Sequence, residues 1–280
     1  MWPTALRPRR FEGGGPLARC ALAALLACGG VARADTKLIV TVIDRDSGAP
    51  VTDLKAGEFR VAIGEAARPV TAAEYKTGLI DVVLMLDSSL IGGQISSLAP
   101  NLIGELSEKE QMALVAYDTA ADLLQEFTSS KDLLRQALSR VKFGNSPRLT
   151  DALYAAAADG FEGSTYRRAI LLLTSGVDGP GSTSLDDVVR VCRRNGVSVY
   201  PLYMMGYGRS ALEKLAMRTG GAAFNARNLA KRSRNPAVQV FEVLRGFYEV
   251  TLPGNLPLGD QAKVGVSRKG KFLVSYLEMN

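Results

Sequence analysis

Two stretches of this 280-residue chain are apolar almost without interruption, and they limit the fold more than any other feature. They are Ile80-Asp81-Val82-Val83-Leu84-Met85-Leu86 and Ala169-Ile170-Leu171-Leu172-Leu173. Runs of this kind belong to strands buried on both faces, which require helices above and below the sheet. The sequence between and after them supplies those helices. Residues 93–107 read as helical, 112–117 and 123–127 as strands, and Leu133, Leu134, Ala137, Leu138 and Val141 as one face of a helix. Asp151 to Phe161 is Ala-rich and helical, Val197 to Met204 is a strand, and Ser210 to Arg218 a helix. A short strand at Ala222 to Phe224 and a helix from Pro236 to Arg245 follow. Alternating strands and helices over residues 78–246 predict an α/β domain: a three-layer, doubly wound, mostly parallel sheet of the Rossmann-like kind.

One helix is especially well marked. Leu185, Val188, Val189 and Cys192 recur at i, i+3, i+4 and i+7, Ser184 with Asp187 forms a capping box, and Gly196 is a natural stop. Cys192 is therefore read as packing, and Asp186-Asp187 as first-turn residues favoured by the helix dipole.

The flanks follow a different rule. In residues 35–77, Leu38, Val40 and Val42 alternate with their neighbours, Ser47-Gly48-Ala49-Pro50 makes a turn, and Phe59, Val61 and Ile63 alternate again. Residues 247–280 repeat the pattern with Tyr248, Val250 and Leu252, then Ala262, Val264 and Val266, then Phe272, Val274 and Tyr276. Period-two patterning with Gly and Pro punctuation means short strands. Neither flank has enough strands to stand alone, so the two are expected to join in one small β-sandwich.

Residues 1–34 read as an export signal. Arg7, Arg9, Arg10 and Arg19 precede the small, apolar run Cys20 to Ala32, and Ala32-Arg33-Ala34 gives an A-x-A site before Asp35. The run is shorter than the roughly 20 residues that span a bilayer. Leu25-Leu26-Ala27-Cys28 also resembles a lipobox, which would make Cys28 a lipidated first residue, and the two processing routes stay open. The expected location is periplasmic or secreted, with membrane attachment only through Cys28. Cleavage at Ala34 leaves Cys192 as the last cysteine, so no internal disulfide can form.

The chain has no histidine, which excludes Ser-His-Asp and Cys-His catalytic sets and His-based zinc or iron sites. Its net charge is +6, but residues 1–34 hold +4 of it, and the remaining +2 gives no general pull on nucleic acid. Arg227, Lys231, Arg232 and Arg234 form a short basic cluster, read as a solvated loop with an anion or partner contact as the alternative. Gly206-Tyr207-Gly208-Arg209-Ser210-Ala211 has the spacing of a dinucleotide loop. It comes late in the strand order, and no acidic residue between 214 and 241 could hold a ribose, so it is read as a tight turn. No small-molecule substrate is expected.

Ligands of open α/β sheets bind beyond the carboxyl ends of the strands. The first central strand ends there in Leu86-Asp87-Ser88-Ser89, and this resembles a von Willebrand factor A (VWA) domain. Met112 to Tyr117 resembles the family's second strand, Asp151-Ala152-Leu153-Tyr154 its D-A-L helix start, and Leu171 to Asp178 its L-L-T-D-G-x-D loop. Val42 to Phe59 is similar to the N-terminal module of a bacterial exported subfamily. The resemblance implies a metal-ion-dependent adhesion site (MIDAS), in which a D-x-S-x-S loop, a distant Thr and a distant Asp hold one divalent ion through oxygen.

Here that site is degenerate. Asp87 and Ser89 keep the first two positions, but the third is Ile91, the threonine position falls on Pro147, and the distant acidic position is Ser175. Magnesium prefers a near-octahedral oxygen set with one or two carboxylates. The expectation is a metal-free descendant, with no cofactor. A rearranged magnesium site on Asp87, Ser89 and Asp178, helped by Ser146 or Thr150, is the alternative. The expected function is an exported, non-catalytic adhesion or protein-interaction module. Its contact face is the loops 87–94, 144–150 and 175–184, with Ser88, Ile91, Arg148, Thr150 and Ser175 as partner-binding residues. The runners-up are the magnesium-dependent binder and a His-free hydrolase.

Overall fold

The computed structural model describes residues 35–204, 208–256 and 262–278. Residues 1–34, read above as an export signal with Cys28, and Gly206 and Tyr207 of the glycine loop lie outside the described residues.

The chain enters through β1 (Thr36–Asp44), β2 (Phe59–Ile63), β3 (Ala66–Arg68) and β4 (Ala72–Thr77). The central part runs β5 (Ile80–Asp87), α1 (Gly93–Ser96), α2 (Ala99–Gly104), β6 (Gln111–Tyr117), β7 (Ala121–Thr128), α3 (Lys131–Leu138) and α4 (Leu149–Asp159). It continues with β8 (Arg167–Thr174), α5 (Leu185–Arg194), β9 (Val197–Tyr203), α6 (Arg209–Arg218), β10 (Phe224–Asn225), α7 (Ala226–Arg232) and α8 (Pro236–Arg245). The chain leaves through β11 (Gly246–Leu252), β12 (Ala262–Val266) and β13 (Phe272–Glu278).

The central sheet has the order β10-β9-β8-β5-β6-β7, parallel throughout except for β7, which turns back antiparallel on β6. Residue parity divides the core. Val82, Leu84 and Leu86 of β5 face one layer with α2, α3, α7 and α8. Val83 and Met85 face the other, with α4, α5 and α6. Every residue of β5 is buried, including Asp81, whose Oδ2 accepts the Thr165 and Tyr166 amides at 2.6 and 2.8 Å. The three-layer fold read from the sequence is the fold observed.

The flanking strands build two antiparallel sheets, β13-β1-β11-β4 and β12-β2-β3, and every sheet draws on both ends of the chain. Leu38, Val40, Phe59, Val61, Tyr248 and Val250 fill the core between them. The outer face of β1 and β13 docks on the central domain. Thr41 Oγ1 donates to the Gly220 carbonyl at 2.9 Å and Ser275 Oγ to that of Gly221 at 2.6 Å. A Cβ on Gly221 would sit 2.0 Å from the Val199 carbonyl oxygen, so the docking turn tolerates no side chain there.

Several local readings change. The single helix expected over 93–107 is two short ones, with Pro100 in the first turn of the second. The basic cluster is not a loop. Arg227, Lys231 and Arg232 belong to α7, because Asn225 caps the Arg227 and Asn228 amides. The short strand near residue 222 is Phe224–Asn225. β3 and β4 carry too few large apolar residues to announce themselves, since their pairing comes from β2 and β11. The capping box on α5 is present, Gly196 takes a positive φ, and burial pushes the Cys192 thiol up to about 12.

One ion pair ties the bottom of this assembly. Arg245 at the end of α8 donates to both oxygens of the fully buried Glu110, at 2.9 and 2.7 Å, and to the Glu105 carbonyl at 2.7 Å. Burial raises the Glu110 pKa, but Arg245 and the Ser107 amide outweigh it and hold the carboxyl below its ordinary value. Its contribution to stability is therefore complete above the ordinary carboxylate range and lost as the pH falls from there through the lowered folded-state value. Arg245→Ala strands a buried charge and should cost about 3–5 kcal/mol in urea unfolding at neutral pH. A variant as stable as the parent would disprove this role.

Candidate functional site

The site is built where β5 runs out. The chain cannot continue past Asp87 without meeting the β6 and β8 loops, and backbone bonds fix the exit. The Ser88 amide donates to the Tyr117 carbonyl and the Gly144 amide to that of Ser88, both at 2.9 Å. The loop then folds back so tightly that a Cβ on Gly92 would lie 2.0 Å from the Asp87 carbonyl oxygen. Only glycine fits there.

Asp87 is fully buried and answered by protein donors. Its Oδ1 accepts the Ser89 amide at 3.0 Å. Its Oδ2 accepts the Ser175 amide at 2.8 Å and the Ser175 hydroxyl at 2.5 Å. The serine at the distant acidic position is thus a donor to the carboxylate it would have faced as a second anion. Below, the buried Tyr117 hydroxyl donates to Thr174 Oγ1 at 3.0 Å, and burial with the nearby Asp87 charge pushes its pKa well up. Ser89 Oγ is buried and has no hydrogen-bond partner among the described residues.

Asp178 has another task. Its Oδ1 accepts the Leu149 amide at 2.8 Å and its Oδ2 the Thr150 hydroxyl at 2.9 Å, so it caps α4. Asp151, one turn into α4, accepts the Ser182 and Thr183 amides in return. The Thr183 hydrogen bonds hold its carboxyl below the ordinary value. The Gly179 amide reaches the Pro147 carbonyl at 2.7 Å, and the Arg148 amide the Asp118 carbonyl at 2.7 Å. Asn145, at positive φ, donates to Asp118 Oδ2 at 2.8 Å. The loops around 118, 145 and 178 are therefore laced to one another.

The expected site residues divide accordingly. Asp87, Ser88, Ser89 and Ser175 meet at the end of β5, whereas Asp178 and Thr150 are joined to each other at the start of α4. Arg148 is exposed beside them. As a cation site, positions Asp87, Ser89, Ile91, Pro147 and Ser175 leave only the Ser89 hydroxyl free among the described residues, which is too few donors for a divalent ion. The one carboxylate at the β5 end already serves three donors, Ile91 offers no oxygen, and the Pro147 carbonyl is engaged.

The sequence reading named Ile91 and loop 87–94 as part of the contact face; it did not single out Leu90 or Phe143, which with Ile91 make an apolar crest above this carboxylate. Leu90 is 78% exposed, Ile91 54% and Phe143 49%, and a Cβ on Gly93 would touch the Phe143 ring at 3.9 Å. The signal was there: Leu90-Ile91 is an apolar pair placed directly after Ser89 in a short, otherwise small-residue loop.

A three-layer α/β sheet whose binding loops gather at the carboxyl end defines a class of binding module. Residues 81–235 match the family model of the von Willebrand factor type A domain, and the chain belongs to that family. Proximal thread matrix protein 1 from the mussel byssus, solved with a zinc-occupied MIDAS motif, is 17% identical with a TM-score of 0.52, over 68% of this chain and 50% of that one. This chain thus spans about half the length of that structure. The conserved hypothetical protein BatB from Bacteroides thetaiotaomicron is 13% identical with a TM-score of 0.45, over 59% of this chain and 98% of that one. No curated protein matches the chain.

Asp87→Ala should strand the Ser89 and Ser175 amides, at about 1–3 kcal/mol for each buried donor. Asp87→Asn, which keeps one acceptor oxygen, should cost less. Thermal unfolding of the two variants checks the order, and an Asp87→Ala protein that melts like the parent would refute the structural role of this carboxylate.

Proposed function

We propose that the chain is an exported, non-catalytic interaction module that grips a protein partner with apolar loop side chains and without a metal. The carrying observation is the crest of Leu90, Ile91 and Phe143 standing over a carboxylate already satisfied by Ser89 and Ser175. VWA domains generally mediate protein–protein contacts, which supports the class of function. The Arg-rich, apolar, A-x-A pattern of residues 1–34 supports export. No helix among the described residues is long and apolar enough to cross a membrane. The absence of histidine, together with the engagement of Asp87 and Asp178 in structural bonds, supports a module that does no chemistry.

An apolar crest needs a partner with an apolar cleft. Burying a large apolar side chain at an interface contributes about 1.5–3 kcal/mol, so Leu90→Ser, Ile91→Ser and Phe143→Ser together should weaken binding at least about a hundredfold. Capture of partners from cell-envelope extract, quantified against the triple variant with and without a chelator, reads both halves. Loss on the triple variant with no effect of chelator is the expected outcome. Capture that depends on magnesium, or calorimetry showing millimolar or tighter magnesium binding that Asp87→Ala abolishes, would replace this reading with the metal-dependent one.

A further inference from the structure

Helix α7, which carries the basic cluster, also walls a second recognition feature. An apolar cavity of about 90 Å³ opens between α2, α7 and α8, lined among others by Leu98, Leu102, Leu202, Ala230, Pro236 and Val240. Ala226 and Ala230, one turn apart on α7, form part of its wall. Arg227 and Lys231 each follow one of these alanines on α7, about 100° further round the helix. Arg234 stands next to Asn235, another wall residue. All three cations are exposed, and none forms an ion pair among the described residues. Arg232 belongs elsewhere, because its charge acts on Asp44.

We infer that this cavity and its cations form a docking site for an acidic protein segment that inserts one apolar side chain. Charge decides the sign of the occupant: exposed cations next in sequence to the wall residues Ala226, Ala230 and Asn235, with no ion pair among the described residues, favour a segment that carries carboxylates beside its anchor. Shape decides its kind. A concave hole sized for one side chain receives a protruding residue, whereas a lipid surface is entered by residues that protrude from the protein. The chain's own residues 1–34 are the wrong occupant, since they carry five arginines against a single Glu12.

The test uses the full chain and a short fluorescein-labelled peptide of Asp and Glu with one central Leu, read by anisotropy. Saturable binding that weakens with rising salt is expected. Replacing the peptide Leu by Ser, or filling the cavity with Ala230→Trp, should each weaken it about tenfold. Arg227→Glu with Lys231→Glu and Arg234→Glu should abolish it. All four positions are exposed, so the fold should survive, and unchanged melting verifies that. The Leu90, Ile91 and Phe143 triple variant should bind the peptide normally, which separates this site from the crest. Failure to bind the acidic peptide overturns the proposal, as does binding that ignores the Leu or the filled cavity. Charge-dependent binding of phosphatidylglycerol vesicles in its place, or self-association lost in the charge-reversed variant, overturns it in favour of a membrane or a second copy.

Discussion

A strand buried on both faces must stop somewhere, and the way β5 stops organises the molecule. Its last residue carries a carboxylate into a place that water does not reach. A buried charge is tolerated only when paired or fully hydrogen-bonded, and Asp87 is answered by two amides and a hydroxyl rather than by a cation. Two of those donors come from Ser175, just past the end of β8, so the neighbouring parallel strands are fastened at their carboxyl ends as well as along their ladder. The loop that follows, 88–92, is then obliged to fold over the top, and the residues it carries outward are the apolar Leu90 and Ile91.

The same logic explains why the surrounding loops make a firm surface. Asp178 holds the start of α4 while Asp151 of α4 holds the loop that carries Asp178 onward to α5. The Asp118 carboxylate in the β6–β7 turn takes the Ala120 amide and the Asn145 side chain, while its backbone carbonyl takes the Arg148 amide. Each of these carboxylates serves a helix start or a turn whose amides have no partner in regular structure. A surface whose backbone is already fixed loses little conformational entropy when it binds, so fewer favourable contacts suffice for a given affinity. An apolar crest on such a base can be small and still specific.

What could be read in the sequence followed from periodicity. Ile80 to Leu86 and Ala169 to Leu173 gave the buried strands, the i, i+3, i+4, i+7 face through Cys192 gave α5, and alternation in both flanks gave the paired sheets. Positions decided by tertiary pairing were opaque. β4 has a middling pattern, Ala72 to Thr77, and exists because β11 offers it an edge. Helix α7 hid behind its charges, since a run of cations looks the same in a loop and on a solvated helix. At the site, the motif pointed to Asp87, Ser89 and Ser175 at one edge, where they meet, but could not say what bonds to what. That Ser175 would turn its hydroxyl on Asp87, and that Asp178 would turn away to cap α4, depends on local geometry that residue spacing does not encode.

The substitution at position 175 therefore has a consequence beyond the loss of a ligand. An acidic residue there would bring a second negative charge against the buried Asp87, and two such groups are held apart by repulsion unless a cation or a proton sits between them. A serine removes the repulsion and supplies a donor to Asp87 in its place. On the metal-free reading proposed above, the edge has no cation to offer a partner's carboxylate, and binding rests on what still projects. In this chain that is Leu90, Ile91 and Phe143 at one end of the sheet, with Arg148 beside the laced loops. Recognition by burial of apolar area is insensitive to divalent ions and weakly sensitive to salt, the reverse of recognition through a bridging metal. The change at a single buried pair thus alters the physical basis on which the whole face can bind.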